Sequence, residues 1–340
     1  MPTPGSPVRR ASLLSVFTAL AALSVVAAAA GCAPTGDEPV PSEVADAGPS
    51  AGDLGSAPDL GAPDLMPMPV RCTGKVKLAA GTSMRTVMSR GQQRSYYLLV
   101  PSRYDPTLPT SLVLAFHGLS DKAGDYMRYI SLELEAERRN VIAIVPQGVG
   151  FVPGWNAGNC CGEPQLFGID DIGFARDLID GARRELCIDD RRIFAMGFSN
   201  GGMFSHRIAC ELAGVVAAVG PVSGGPMVTT CQPERPVSIL HMHGTADPIV
   251  GYEGGGTGTF PSIPTVISDW MKRNRCTDTL KETYKKGVVT CKSAQSCAEG
   301  TEVSLCTIDQ GKHTWPGSSD GTMDIKATAE ILDFFARHPR

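Results

Sequence analysis

From residue 95 onward, short β-branched or apolar runs alternate with segments of helical periodicity, and this alternation limits the possible folds more tightly than any other feature. Runs at 96–100, 112–116, 141–145, 193–197, 215–222, 237–243 and 302–307 read as strands. Those at 171–186, 201–212, 263–273 and 323–336 read as helices, with apolar residues at helical spacing. Near-continuous apolar strands separated by helices predict a mostly parallel sheet covered on both faces, an α/β architecture. The region from residue 71 to 340 is long enough for one such domain with a substantial core.

The first 70 residues follow other rules. Arg9-Arg10 precedes an apolar run over 13–30, so residues 1–31 are expected to be an export signal peptide. Ala29-Ala30-Gly31-Cys32 resembles a lipobox with alanine where leucine is usual, which makes Cys32 the expected lipidation site. Small residues at Ala28 and Ala30 would suit ordinary signal peptidase instead, and cysteine parity favours the lipobox. The chain has 11 cysteines, and giving Cys32 to a lipid leaves an even number for disulfides in an oxidising compartment. Residues 32–70 are rich in Pro, Gly, Ala, Ser and Asp, with Ala-Pro-Asp-Leu at 57–60 and again at 62–65; they cannot bury enough apolar surface to fold and are expected to form a disordered tether. The expected location is therefore extracellular or lipid-anchored at the cell envelope, with membrane contact through the lipid alone. A formal net charge of −4 without a basic cluster argues against nucleic acid as a partner, and the chain is expected to be a monomer.

Gly197-Phe198-Ser199-Asn200-Gly201 matches G-x-S-x-G, in which glycines permit a tight strand-to-helix turn that exposes the serine hydroxyl. The motif alone is weak, since 48–52 and 317–321 match it as well. Only Ser199 has a strand directly before it and a helix directly after. A serine hydroxyl needs an imidazole to take its proton and a carboxylate to orient that imidazole. With the order serine, acid, histidine, His313 is the candidate base: His206 lies in the following helix, His241 and His243 precede any suitable acid, and His338 ends a terminal helix. Asp247, just past a strand end, is the candidate acid, with Asp309 as its rival. His241, His243 and Asp247 could form a metal trio, but no fuller ligand set is evident, so neither metal nor cofactor is expected. Backbone N–H groups of Leu119 and Asn200 are candidate donors to a developing oxyanion. Trp155, Trp315 and His117 are candidate substrate contacts.

These positions, together with Leu-Ala-Phe-His-Gly at 114–118, Gly-Trp-Asn-Ala-Gly-Asn-Cys-Cys-Gly at 154–162, Asp-Asp-Ile-Gly-Phe at 170–174, His-Gly-Thr-Ala-Asp at 243–247 and His-Thr-Trp-Pro-Gly at 313–317, resemble the secreted polyhydroxybutyrate depolymerase and feruloyl esterase family of α/β-hydrolases over about residues 94–335. Lys312 departs from the pattern, standing where the resemblance leads one to expect glycine. The resemblance implies an α/β-hydrolase fold without a large cap domain and a catalytic triad on Ser199, Asp247 and His313. It implies a serine esterase working through an acyl-serine intermediate. A feruloyl or acetyl ester on plant polysaccharide is the leading substrate, because so little chain follows His313 that no separate polymer-binding domain is expected there. Depolymerisation of poly(3-hydroxybutyrate) or its oligomers is the alternative within the same chemistry. A non-catalytic polysaccharide-binding lipoprotein is the alternative of another class. Adjacent Cys160 and Cys161 are not expected to pair with each other, because neighbouring Cα atoms lie about 3.8 Å apart. Their candidate partners are Cys72, Cys187, Cys210 and Cys231, while Cys276, Cys291, Cys297 and Cys306 are expected to pair among themselves.

Overall fold

A computed structural model describes residues 71–340. The expected signal peptide, tether and lipidated Cys32 lie outside the described residues. In chain order the elements are β1 (Gly81–Ser89), β2 (Gln92–Val100), β3 (Thr110–Phe116), α1 (Ala123–Tyr129), α2 (Leu132–Arg139), β4 (Ile142–Pro146), α3 (Gly162–Leu166), α4 (Asp171–Glu185), β5 (Ile188–Phe198), α5 (Asn200–Glu211), β6 (Ala218–Val222), β7 (Ser238–Gly244), α6 (Ile263–Arg273), β8 (Lys281–Lys286), β9 (Val289–Ala294), β10 (Val303–Ile308) and α7 (Ala327–Arg337).

The strands form a single sheet in the order β1-β2-β4-β3-β5-β6-β7-β10-β9-β8. Pairing is parallel from β4 through β3, β5, β6 and β7 to β10, and antiparallel at both margins. Strand β3 shows why the centre reads as an unbroken apolar run. Leu112, Leu114 and Phe116 face one core with α4, α5 and α6, while Val113 and Ala115 face a second core with α1, α2 and α7. Alternate residues of a strand point to opposite faces, and here helices cover both. All seven expected strands are present.

Strands β1, β8 and β9 escape the sequence pattern. The residues of β1 and β8 are largely polar and exposed, as in the Lys-Glu-Thr-Tyr-Lys-Lys of β8, because edge strands are held by backbone pairing and are protected from further pairing by charge; β9 lies between β10 and β8 with Val289, Cys291, Ser293 and Ala294 buried, and its mixed composition gives no continuous apolar run. Two boundaries also shift. The run at 215–222 joins the sheet only from Ala218, since the N–H groups of Val215 and Val216 both bond Leu212 O to close α5. Helix α7 starts at Ala327 rather than near 323, because residues 322–324 form a side-chain turn. In that turn Thr322 bonds Asp324, and Asp324 Oδ2 accepts the N–H of Val288.

The disulfides are Cys72–Cys187, Cys160–Cys161, Cys210–Cys231, Cys276–Cys297 and Cys291–Cys306. The last two confirm the expected pairing within that group of four. Cys160–Cys161 corrects the expectation: it presumed a trans peptide, whereas the bond between them is cis and brings the Cα atoms to 3.1 Å. Every cysteine of the described region is thus paired, which fits a protein exported to an oxidising compartment.

Candidate active site

Strands β5, β7 and β10 bring the three key loops to one edge of the sheet, the edge at their C-terminal ends, where open α/β sheets place their sites. Ser199 sits between β5 and α5 with φ 54° and ψ −119°, a left-handed conformation that costs a non-glycine residue about 1–3 kcal/mol. The flanking glycines supply room for this turn. A Cβ at Gly197 would lie 2.3 Å from Gly201 O, and one at Gly201 would lie 2.0 Å from Phe116 O. Ser199 N donates to Val222 O at 2.9 Å, tying the turn to β6.

Asp247 lies on the turn after β7. Its Oδ1 accepts the N–H groups of Ile249 and Val250, each at 2.9 Å, and its Oδ2 pairs with His313 Nδ1 at 2.7 Å. Burial by itself would raise the Asp247 carboxyl, but the bonds from His243 and His313 and from the Val250 backbone outweigh it and hold the group well below the usual carboxylate range. The imidazole of His313 comes from the loop between β10 and α7, remains partly open to solvent, and rests against the ring of Phe198 with centroids 4.8 Å apart. Phe198 precedes Ser199, so base, acid and hydroxyl converge on one place. No hydrogen bond joins Ser199 Oγ to His313 in this structure; such bonds are often loose before substrate binds. Asp309, the rival acid, is exposed and bonds Thr245 instead.

Leu119 follows β3, and Asn200 is the first residue of α5, so neither backbone N–H has a protein acceptor among the described residues. His117 fixes the turn that carries Leu119. Its Nδ1 donates to Gly118 O at 2.7 Å, its Nε2 accepts the N–H of Gly148 at 2.9 Å, and burial pushes the imidazole down to about 4, which keeps it neutral.

Three expected substrate contacts are corrected. Trp155, Trp315 and His117 are 0%, 1% and 0% exposed, so none presents a surface to a ligand. Trp155 stacks on Phe204 and donates its indole N–H to His117 O at 2.9 Å. Trp315 packs edge-on against Tyr126, and its indole donates to Thr328 Oγ1 at 3.0 Å. Each large ring spans from its loop into a core, where apolar area is worth more than at the surface.

Sequence reasoning missed how the loop at 154–162 is held. The Asn200 side chain accepts from Trp155 N at 2.7 Å and donates to Trp155 O at 3.0 Å. Asp171 accepts from Asn156 N at 2.8 Å and pairs with buried Arg94 at 2.9 Å. The conspicuous Asp-Asp at 170–171 was the available signal: Asp170 caps α4 by accepting from Gly173 N at 2.7 Å, and Asp171 turns inward.

The fold and the convergence of loops at the sheet edge define an α/β-hydrolase. No family model matches the chain. Among known proteins it is 30% identical over 248 residues to feruloyl esterase B of Piromyces equi, covering 68% of this chain and 44% of that one. It is also 30% identical over 192 residues to a probable feruloyl esterase C of Aspergillus terreus, covering 54% of this chain and 67% of that one. The chain thus spans less than half of the Piromyces protein but two thirds of the Aspergillus one. Acetyl xylan esterase from Aspergillus awamori shares the fold, with a TM-score of 0.56 at 13% identity over 75% of this chain and 99% of that one. The chain belongs to the feruloyl esterase family of α/β-hydrolases.

Proposed function

We propose that this protein hydrolyses carboxylic esters through an acyl-Ser199 intermediate, and that its substrates are feruloyl or acetyl esters carried on plant polysaccharide. The observation that carries the reading is the 2.7 Å pair between Asp247 Oδ2 and His313 Nδ1, set beside a serine on a strained strand-to-helix turn. In the proposed reaction Ser199 Oγ attacks the ester carbonyl and passes its proton to His313 Nε2. Asp247 holds the imidazole in the tautomer that leaves Nε2 free to accept. The N–H groups of Leu119 and Asn200 receive the oxyanion, each worth about a hundred- to a thousandfold in rate. The proton on His313 passes to the leaving alcohol, and water, activated by the same imidazole, frees the acid.

Support for an aromatic acyl group comes from the exposed apolar side chains near the oxyanion turn. Leu119 packs over Gly154 and Gly162, while Phe151, at 94% exposure, and Phe167, at 70%, stand on the adjoining loop and just past α3. These segments are tied together, since Phe151 N donates to Glu163 and Ser120 N to Pro153 O. This rim takes the place of the buried tryptophans as the proposed acyl contact. Cys32, the one cysteine outside the disulfides of the described region, is proposed to carry a lipid; a mass difference between the exported chain and its Cys32→Ser variant tests that assignment.

The direct test of function is kcat/KM of the purified chain on methyl ferulate and on a 3-hydroxybutyrate oligomer, with Ser199→Ala as control. Turnover of ferulate lost in the variant is expected. Preference for the oligomer would make the protein a polyester depolymerase, and turnover independent of Ser199 would overturn the mechanism.

A further inference from the structure

Behind Asp247 lies a run of buried polar rings that the proposed chemistry does not use. Trp270 on α6, His206 on α5, and His241 and His243 on β7 are all fully buried. Trp270 Nε1 meets His206 Nδ1 at 3.0 Å, His206 Nε2 meets His241 Nδ1 at 3.2 Å, and His241 Nε2 meets His243 Nδ1 at 3.1 Å. His243 Nε2 then meets Val250 O at 2.8 Å and stands 3.4 Å from Asp247 Oδ2. Successive rings lie nearly parallel, at 18° between Trp270 and His206, 27° between His206 and His241, and 4° between His241 and His243.

The two ends fix where every proton must be. An indole N–H can only donate and a carbonyl can only accept, while a neutral imidazole does one at each nitrogen. Donation by Trp270 leaves His206 Nδ1 as an acceptor, so its proton is on Nε2. The same step repeats at His241 and at His243, whose Nε2–H reaches Val250 O. A single arrangement satisfies all the rings, and a proton added anywhere would set two N–H groups face to face. Burial agrees, pushing His206 down to about 3 and His241 well below the usual histidine range.

Such an array is costly to place in a core, where buried polar groups are tolerated only if fully bonded. Apolar residues at 241 and 243 would suit the core on that face of β7, with Ile239, Val250 and Ile267, without that cost. What the array reaches is specific. Val250 is gripped at both backbone polar groups, its carbonyl by His243 and its N–H by Asp247 Oδ1. The first imidazole, His206, stands on α5, the helix that begins immediately after Ser199, and beyond it the array ends at Trp270 of α6.

We propose that His206, His241 and His243 are positioning residues, a proton-ordered relay from the helix after Ser199 to the 247–250 turn that holds the Asp247 carboxylate in line with His313. The proposal rests on the reading of Ser199, Asp247 and His313 as the triad. It assigns the three imidazoles one shared tautomer and one shared purpose.

Two measurements test it. With imidazole-15N-histidine in the wild-type chain, long-range 15N–1H correlation reports the tautomer of each ring. Expected at about pH 8 is the Nε2–H tautomer at His206, His241 and His243, with His206 and His241 still neutral at about pH 5; an Nδ1–H tautomer at any of the three, or protonation of His206 or His241 in the folded protein, overturns the relay. This readout needs no variant to fold. In kinetics, His243→Leu is expected to lose about ten- to hundredfold in kcat, as a small displacement of a catalytic group does, with KM little changed. The downfield proton signal of the His313–Asp247 pair should weaken with it. His243→Gln, whose amide can still donate towards Val250 O, is expected to restore most of kcat. A folded His243→Leu protein with wild-type kcat would sink the proposal. Asp247→Asn separates the two readings: if it is inactive while His243→Leu is fully active, only the relay falls, and if Asp247→Asn keeps wild-type activity, the triad reading falls and the positioning role falls with it.

Discussion

At the scale of single residues, the site depends on the lack of side chains as much as on their presence. Gly201 has no Cβ, and one placed there would lie 2.0 Å from Phe116 O, a carbonyl at the end of β3 that cannot move without disturbing the sheet. Gly201→Ala is therefore expected to displace the turn that carries Ser199, lowering kcat by at least about a hundredfold. Stability is expected to fall by about 1–3 kcal/mol as the overpacked backbone shifts. Steady-state kinetics and thermal melting of the variant would check both, and a fully active Gly201→Ala enzyme would show that the turn has more room than the geometry allows. Asn200 shows a residue with two assignments. Its N–H is a proposed oxyanion donor, and its side chain clamps the backbone of Trp155 from both sides.

At the scale of elements, the loop at 154–162 is held between α4 and α5 and has little regular structure of its own. Asp171, at the start of α4, receives Asn156 N and pairs with Arg94 of β2, whose guanidinium also lies 3.9 Å from the ring centroid of Phe174. Both charged side chains are essentially without solvent contact. Removing one partner leaves the other buried and uncompensated, so Asp171→Ala is expected to cost about 3–5 kcal/mol. Chemical denaturation measures the loss; a cost below about 1 kcal/mol would mean that water reaches Arg94. Because the loop also carries the Cys160–Cys161 pair and borders Leu119, the variant should raise KM more than a change of equal cost elsewhere.

For the molecule as a whole, buried neutral histidines set the behaviour in mild acid. Desolvation pushes His117 down to about 4, His206 to about 3 and His241 well below its usual range. In the unfolded chain these imidazoles take up protons near their ordinary value of about 6.5, while the folded protein does not. Stability is thus greatest above that value and falls as pH drops toward the folded-state values, by roughly 2 kcal/mol per histidine between pH 7 and pH 5. Glu302 acts in a lower window. Burial by itself would raise it, but bonds from His338, Ser304 and Ser293 bring it down to about 2, so its contribution is present above its ordinary value and is lost as pH falls toward 2. The expected melting temperature therefore declines markedly from pH 7 to pH 5, with a proton uptake on unfolding of about three. A flat profile would mean that these imidazoles titrate in the folded state.

Features that depend on local chemistry can be read along the chain. Alternating apolar runs and helical periods specified a parallel sheet covered on both faces, and the order of Ser199, Asp247 and His313 selected the residues that meet at its edge. Those signals are legible because each is written within a few neighbouring residues. Features that depend on distant partners came from packing. Backbone pairing made strands of the polar segments β1 and β8 and of the mixed segment β9. Which face of the sheet each loop covers decided that Trp155 and Trp315 are buried. Peptide geometry decided that Cys160 pairs with Cys161. His206 became a neighbour of His241 and His243 only when α5 packed on the sheet, because contact between side chains is set by the packing of elements and not by separation along the chain.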